Sequence, residues 1–390
     1  MPQTETMTLN MGPQHPSTHG VLQVILELDG EYVVKATPHI GFLHRGVEKL
    51  SETKRYHQII PITDRMDYLS GFTNNLGYVL AVEKLLDIQV PPRAEYIRVI
   101  LAELTRISSH LFWLGTHALD LGAMTPLFYC MREREHICDI FEMVSGARMT
   151  PSFVRIGGLA DDFPDGLTEK VWEFIEIFPE KLSDYETLLT KNPIWIGRTK
   201  DVGVISAADA ISFGLTGPVL RGSNVKWDVR KSFPYSGYEN FMFDIPIGEN
   251  GDTYDRYLVR LEEMRQSINI VRQALVGLPQ GEINAYAPKV VLPRKQETMS
   301  RMDALIRHFK LIEEGMSPPQ GEVYTSIESA RGELGYYIVS DGGTNPYRLR
   351  IRPPSFVNLQ ALPKLIEGRL LADVVAIIGS IDIVLGEVDR

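Results

Sequence analysis

Apolar and polar residues change period along this 390-residue chain. Over residues 4–11 they alternate, the two-residue period of a half-buried strand, and residues 21–28 read as a second strand. Asp29-Gly30 then predicts a turn into a further strand at 31–35. Beyond residue 37 the period lengthens. Pro91-Pro92 precede apolar residues at Ile97, Ile100, Leu101, Leu104, Ile107, Leu111 and Leu114, the stripe of a long helix buried on one side, with Pro92 in its first turn. Further helices are predicted at 66–86, 127–145 (stopped by Gly146), 167–190, 254–278 and 298–314. From 321 to 352 the pattern returns to strands, with 335–339 and 347–351 flanking the turn Ser340-Asp341-Gly342-Gly343-Thr344. The last 35 residues read as a helix and a buried tail. These elements predict an α+β fold with an antiparallel N-terminal β-sheet (1–37), a helical core (38–320) and a C-terminal α+β region (321–390). No Pro/Ser/Gly-rich linker divides it, so the three are regions of one continuous body.

Composition narrows the function. Apolar residues make up 44% and charged residues 23%, as in an ordinary globular protein. A net charge of -10 argues against nucleic acid or an anionic membrane surface as the main partner. Two cysteines exclude a disulfide framework and fit a reducing compartment. Residues 1–20 are polar and rich in Pro and His, unlike a signal peptide. The longest apolar stretch, 374–386, is broken by Ser380 and Asp382 and falls short of the roughly 20 residues that span a bilayer. Membrane location, if it has one, must therefore come from a partner.

Several chemistries lack their motifs. There is no G-x-G-x-x-G after a strand and no G-x-x-x-x-G-K-[ST], so nicotinamide dinucleotides and nucleoside triphosphates have no phosphate cradle here. Cys130 and Cys138 point about 80° apart on a predicted helix and read as core thiols rather than a chelate. What stands out is Gly12-Pro13-Gln14-His15-Pro16-Ser17-Thr18-His19-Gly20, which places two histidines four apart where Pro16 and Gly20 prevent a helix. On a hairpin tip, two imidazoles suit hydrogen bonding or proton delivery to a polar group. Ordinary turn residues account for the same segment.

Seven blocks, in order, carry a resemblance over nearly the whole chain: MGPQHPSTHGVL (11–22), PHIGFLHRGVEKL (38–50), DRMDY (64–68), PPRAEYIRVILAELTRISSHL (91–111), ALDLGAMTP (118–126), SARGELGYYIVSDGG (329–343) and IDIVLGEVDR (381–390). With these the chain resembles the large quinone-site subunit of bacterial respiratory complex I, the proton-translocating NADH:quinone oxidoreductase. The resemblance implies a fold similar to the nickel-iron hydrogenase large subunit. Arg45-Gly46-Val47-Glu48 and Ala330-Arg331-Gly332-Glu333-Leu334-Gly335 resemble that group's R-G-x-E and A-x-R-G-x-L blocks. Its two Cys-x-x-Cys pairs are missing, so a nickel-iron centre has no thiolate ligands.

The resemblance also implies roles. His19 and Tyr68 would hold the quinone headgroup, ubiquinone or menaquinone, and supply its protons. Asp120 would pair with the loop histidine, although an Asp there also fits a simple helix-end cap. His15 would support the loop. Arg45 and Arg65 would lie near a 4Fe-4S cluster carried by a neighbouring subunit, and a guanidinium there raises the cluster's reduction potential. Asp382 and Val384 would line the quinone chamber. No metal or flavin is expected on this chain itself. The implied partners are the cluster-bearing subunit, other peripheral-arm subunits and a membrane-arm subunit at the quinone entrance, on the cytoplasmic side of the inner membrane. A non-catalytic, hydrogenase-like scaffold subunit of a related membrane-bound complex is the alternative. One departure is notable: many relatives carry, at the position of Thr150, a histidine that titrates with the cluster.

Overall fold

The computed structural model describes residues 6–390, in a mixed α+β fold. Strands β1 (Met7–Met11), β2 (Gln23–Asp29) and β3 (Tyr32–His39) form an antiparallel sheet in sequence order. Thr4 and Glu5 of the expected first strand lie outside the described residues. Pairing of Met11 with Val24 makes residues 12–23 the loop of a hairpin, and Gly30, with φ 62°, turns β2 into β3. The segment expected to be purely loop contains one 3-10 turn, Pro16–Thr18. Proline tolerates this because it occupies the first position, where no amide hydrogen is needed.

The helical core is built from α1 (Gly71–Leu86), α2 (Pro92–Asp120), α3 (Met124–Ser145), α4 (Leu167–Leu189) and α5 (Thr253–Val276). Gly146, with φ 73°, ends α3 as expected, and Cys130 and Cys138 are both buried. The one-sided burial expected of α2 is wrong: the helix is buried nearly all round. Its charged face survives burial because each group meets a partner from elsewhere in the chain. Arg98 pairs with Glu83 at 2.6 Å, Glu103 with Arg230 at 3.0 Å, and His110 with Glu263 at 2.8 Å. A paired and hydrogen-bonded charge recovers much of the several kcal/mol per ion that desolvation costs, roughly.

Two other expectations shift. The helix expected from residue 66 starts at Gly71, because 64–70 form a turn, and the helix expected over 298–314 divides into Lys295–Ser300 and α6 (Met302–Glu313) at an extended Arg301. The stretch between α4 and α5 carries the short helices Pro193–Thr199, Ala207–Ser212, Gly217–Arg221 and Val229–Ser232.

A second antiparallel sheet, β4 (Gly321–Ser329), β5 (Gly332–Ser340) and β6 (Arg348–Arg352), packs on α1, where Tyr336 and Ile327 lie against Gly77. The chain closes with α7 (Leu371–Ile381) and α8 (Leu385–Asp389). Their Ile377, Ile378 and Leu385 share an apolar cluster with Leu22, Val24 and Leu26 of the N-terminal hairpin. The C-terminal segment thus covers the inner face of the first sheet, bringing the hairpin loop and the tail to one place.

Candidate functional site

The hairpin loop is held from inside. Thr18, fully buried, donates its hydroxyl hydrogen to the carbonyls of His15 (2.9 Å) and Pro13 (3.3 Å), and the Ser17 amide donates to His15 Nδ1 at 3.2 Å. Gly12 is needed for a close approach: a Cβ there would overlap the Leu22 carbonyl oxygen. His19 ends the 3-10 turn at φ 55°, left-handed backbone that costs a non-glycine residue energy and is kept where the surroundings demand it. Its side chain reaches solvent. Surrounding protein, and then the Arg331 guanidinium, push its imidazole down to about 4, so it is neutral at pH 7.

Asp120 ends α2 half-buried. The charge and hydrogen bond that act on it come from His15 and the Ser17 hydroxyl, so it faces these two rather than His19; burial outweighs them and raises its pKa.

Tyr68 stands on the turn of residues 64–70, with its side chain 38% exposed between the buried residues Asp67 and Leu69. The turn is pinned on both flanks. Asp64 accepts from the Ser152 amide and hydroxyl at 2.8 and 2.5 Å, and Asp67 accepts from the Leu69 amide at 3.1 Å. Burial, and then Asp67, raise the Tyr68 pKa, while Arg331 opposes them. A shallow crevice beside Tyr68 is lined by Phe72, Phe141, Arg148, Thr150 and Pro151.

Beneath these donors lies a buried ionic floor. Arg331 Nη1 donates to Asp67 Oδ2 at 2.7 Å, and Nη2 lies 3.4 Å from Asp382 Oδ1. Asp382 takes left-handed backbone (φ 56°) at the end of α7, and burial lifts its carboxyl to about 6 against the pull of Arg331 and Arg260. Val384 is buried, its amide donating to the Ser355 hydroxyl at 3.3 Å, rather than lining an open wall. Arg45 and Arg65 form an exposed pair, Arg45 donating to the Arg65 carbonyl and Arg65 to the Pro61 carbonyl, each at 2.5 Å.

Arg331 thus reaches Asp382 directly and its charge acts on His19 and Tyr68, the charge of His15 acts on Asp120 at the helix end, and Arg45 and Arg65 stand side by side. Arg331 and Asp67 were not foreseen as site residues, although both fall inside motif blocks. A larger cavity of about 340 Å³ lies elsewhere, between His44, Glu48, Phe356 and Arg390. Neither His19 nor Tyr68 lines it, and Arg390 and Glu48 pair across it at 3.2 Å, so size does not decide the site. Among the described residues no cluster of three or more His, Cys, Asp or Glu side chains is arranged to hold a metal ion, and no helix is long and apolar enough to cross a membrane. Chemically, the arrangement offers one phenol and one imidazole, both accessible, above a guanidinium and two carboxylates.

Residues 120–390 match the family model described as "Respiratory-chain NADH dehydrogenase, 49 Kd subunit". Among known proteins, the chain is 62% identical over 390 residues, all of both chains, to the D subunit of NADH-quinone oxidoreductase from Geotalea uraniireducens. It is 60% identical, again over all of both chains, to the protein of that name from Geobacter metallireducens. To the second such protein of Chloroflexus aurantiacus it is 57% identical, over 99% of this chain and 95% of the other.

Proposed function

The chain belongs to the family of 49 kDa or D subunits of NADH-quinone oxidoreductase, complex I, and on that premise we propose that His19 and Tyr68 are the two proton donors of its quinone-reducing site. It is a core subunit of that enzyme and works together with other subunits of the complex. The observation that supports the site assignment is that two accessible donors both lie within the influence of one buried guanidinium, Arg331. A scaffold without chemistry would have no use for a histidine held in left-handed backbone beside such a pair.

Quinone reduction takes two electrons and two protons, delivered to carbonyl oxygens on opposite sides of the ring. Tyr68 donates a hydrogen bond from its hydroxyl to one oxygen and His19 from a ring N–H to the other. In the empty site His19 is neutral. Electrons arriving on the bound quinone place negative charge beside the imidazole, which raises its pKa and draws a proton to it. That proton and the phenol's then pass to the reduced ring. Asp120 and His15 hold the loop that carries His19. The exposed guanidinia of Arg45 and Arg65 face the cluster-bearing partner, where positive charge favours the reduced cluster. The partner's cluster lies on the inner, cytoplasmic side of the membrane, and this chain contributes no metal or flavin.

The test is His19→Ala and Tyr68→Phe in the assembled enzyme, assayed with quinone and with a hydrophilic artificial acceptor. Losing one positioned donor should slow quinone reduction by about 10² to 10⁴ while the artificial acceptor is still reduced. Undiminished quinone reduction in both variants would overturn the assignment.

A further inference from the structure

We propose that Arg331 is the positioning residue of this site, clamping the Tyr68 turn to the helical core and setting the electrostatic field in which both donors hold their protons. This rests on the assignment of His19 and Tyr68 as donors.

The geometry begins with the hairpin between β4 and β5, where Ser329 pairs with Gly332 and leaves Ala330-Arg331 as the turn. Two glycines let this turn press into the core. A Cβ on Gly217 would overlap the Arg331 carbonyl oxygen, and one on Gly332 would lie 2.5 Å from Thr216 Oγ1. Arg331 is consequently buried. From there its guanidinium reaches three segments. Nη1 donates to Asp67 Oδ2 (2.7 Å) and Ser70 Oγ (3.2 Å) on the Tyr68 turn and to Ser109 Oγ (2.9 Å) on α2, while Nη2 reaches Asp382 at the end of α7. The second nitrogen of the guanidinium adds the contact to Asp382 on a separate element, which a compact ammonium reaching the first three would not make.

Charge follows the same layout. The charged groups acting on Arg331 are Asp67, Asp382 and Glu387, with Arg260 as the second cation nearby. Tyr68 is surrounded by Asp67 and Asp382, with Arg331 as the opposing charge, and His19 is influenced by Arg331. When Tyr68 gives its proton, its O–H bond breaks as an O–H bond forms at the quinone oxygen, the electrons having come from NADH through the enzyme's own carriers. The phenolate left behind would lie beside Asp67 and Asp382, and Arg331 is the charge that opposes them. Arg331 therefore eases the loss of the Tyr68 proton, and it adds to burial in holding the His19 pKa down.

The experiment compares Arg331→Lys and Arg331→Gln in the assembled complex, reading quinone reduction from pH 5 to 9, with the hydrophilic acceptor as the assembly control. Arg331→Lys keeps the charge and loses the fork. Quinone reduction should fall by about 10², as misplacement of a reacting group does, with the shape of the pH profile kept. Arg331→Gln also loses the charge, so the smaller of the two influences that lower the His19 pKa is removed and the pKa moves up, with burial still acting. A new titration should then enter quinone reduction on the acid side of neutrality. If Arg331→Gln does not accumulate, Arg331→Gln combined with Asp382→Asn removes both charges of the pair and carries the same expectation. Unshifted profiles in the Gln variants, or equal loss of both activities in all of them, would overturn the role of Arg331. Failure of the donor assignment would show separately, as full quinone reduction in His19→Ala and Tyr68→Phe.

Discussion

Glu103 gives the sharpest stability prediction. It is fully buried on α2, and its two oxygens accept from Arg230 Nη1 (3.0 and 3.1 Å), Arg106 Nε (3.2 Å), the Tyr238 hydroxyl (2.6 Å) and the Ser267 hydroxyl (2.6 Å). Burial alone would raise its pKa, but the two guanidinia and two hydroxyls outweigh it and hold the carboxyl at about 2 instead of 4.5. At about 1.4 kcal/mol per pKa unit this links the carboxylate to about 3 kcal/mol of stability. The folded pKa is depressed, so the contribution is complete above about pH 4.5 and is lost as the pH falls toward 2. Glu103→Ala leaves two buried guanidinia and two hydroxyls without their acceptor, at a cost of about 3–5 kcal/mol. Hydrogen exchange in the assembled complex reads this directly. Protection of the slowest α2 and α5 amides should drop by about 10² to 10⁴, a tenfold loss per 1.4 kcal/mol. Glu103→Gln, which keeps an acceptor but not the charge, should fall between. Unchanged protection in Glu103→Ala would refute the reasoning.

Gly217→Ala should destabilise the protein, because the added Cβ would run into the Arg331 carbonyl on backbone of φ 70°; lower yield of assembled complex and a lower melting temperature would show it. Thr150 lies in the crevice wall beside Tyr68 at φ 53°, backbone that histidine tolerates better than most residues. Since threonine does not titrate, the partner cluster's potential should depend only weakly on pH between 6 and 8, and Thr150→His should add a slope of up to about 59 mV per pH unit. Redox titration of the cluster's paramagnetic signal measures both, and a full slope in the unmodified enzyme would contradict the expectation.

Local pattern revealed the elements whose causes are local. The apolar stripe of α2, the glycine that stops α3 and the turn at Gly30 are each set by residues within a few positions. What remained hidden was set by distant ones. The burial of Glu103 depends on Arg230, Tyr238 and Ser267, which no period along α2 reveals. Helices of four to seven residues between α4 and α5 are too short for their spacing to register. In the proposed site, His19 and Tyr68 are suggested by the sequence because they stand in motif blocks and carry proton chemistry. Arg331 stood in a block too, but its role is to join residues 67, 109 and 382, a relation that exists only once the β4–β5 hairpin enters the core.

The central claim is that quinone binds between His19 and Tyr68. Its most direct test is photolabelling of the assembled enzyme with a photoreactive quinone, followed by mapping of the attachment sites on this chain by mass spectrometry. The account predicts label in the peptides that carry residues 12–20 and 64–69, competed away by excess quinone. Competed label confined to the cavity between His44, Glu48 and Arg390, with none in those two segments, would contradict it.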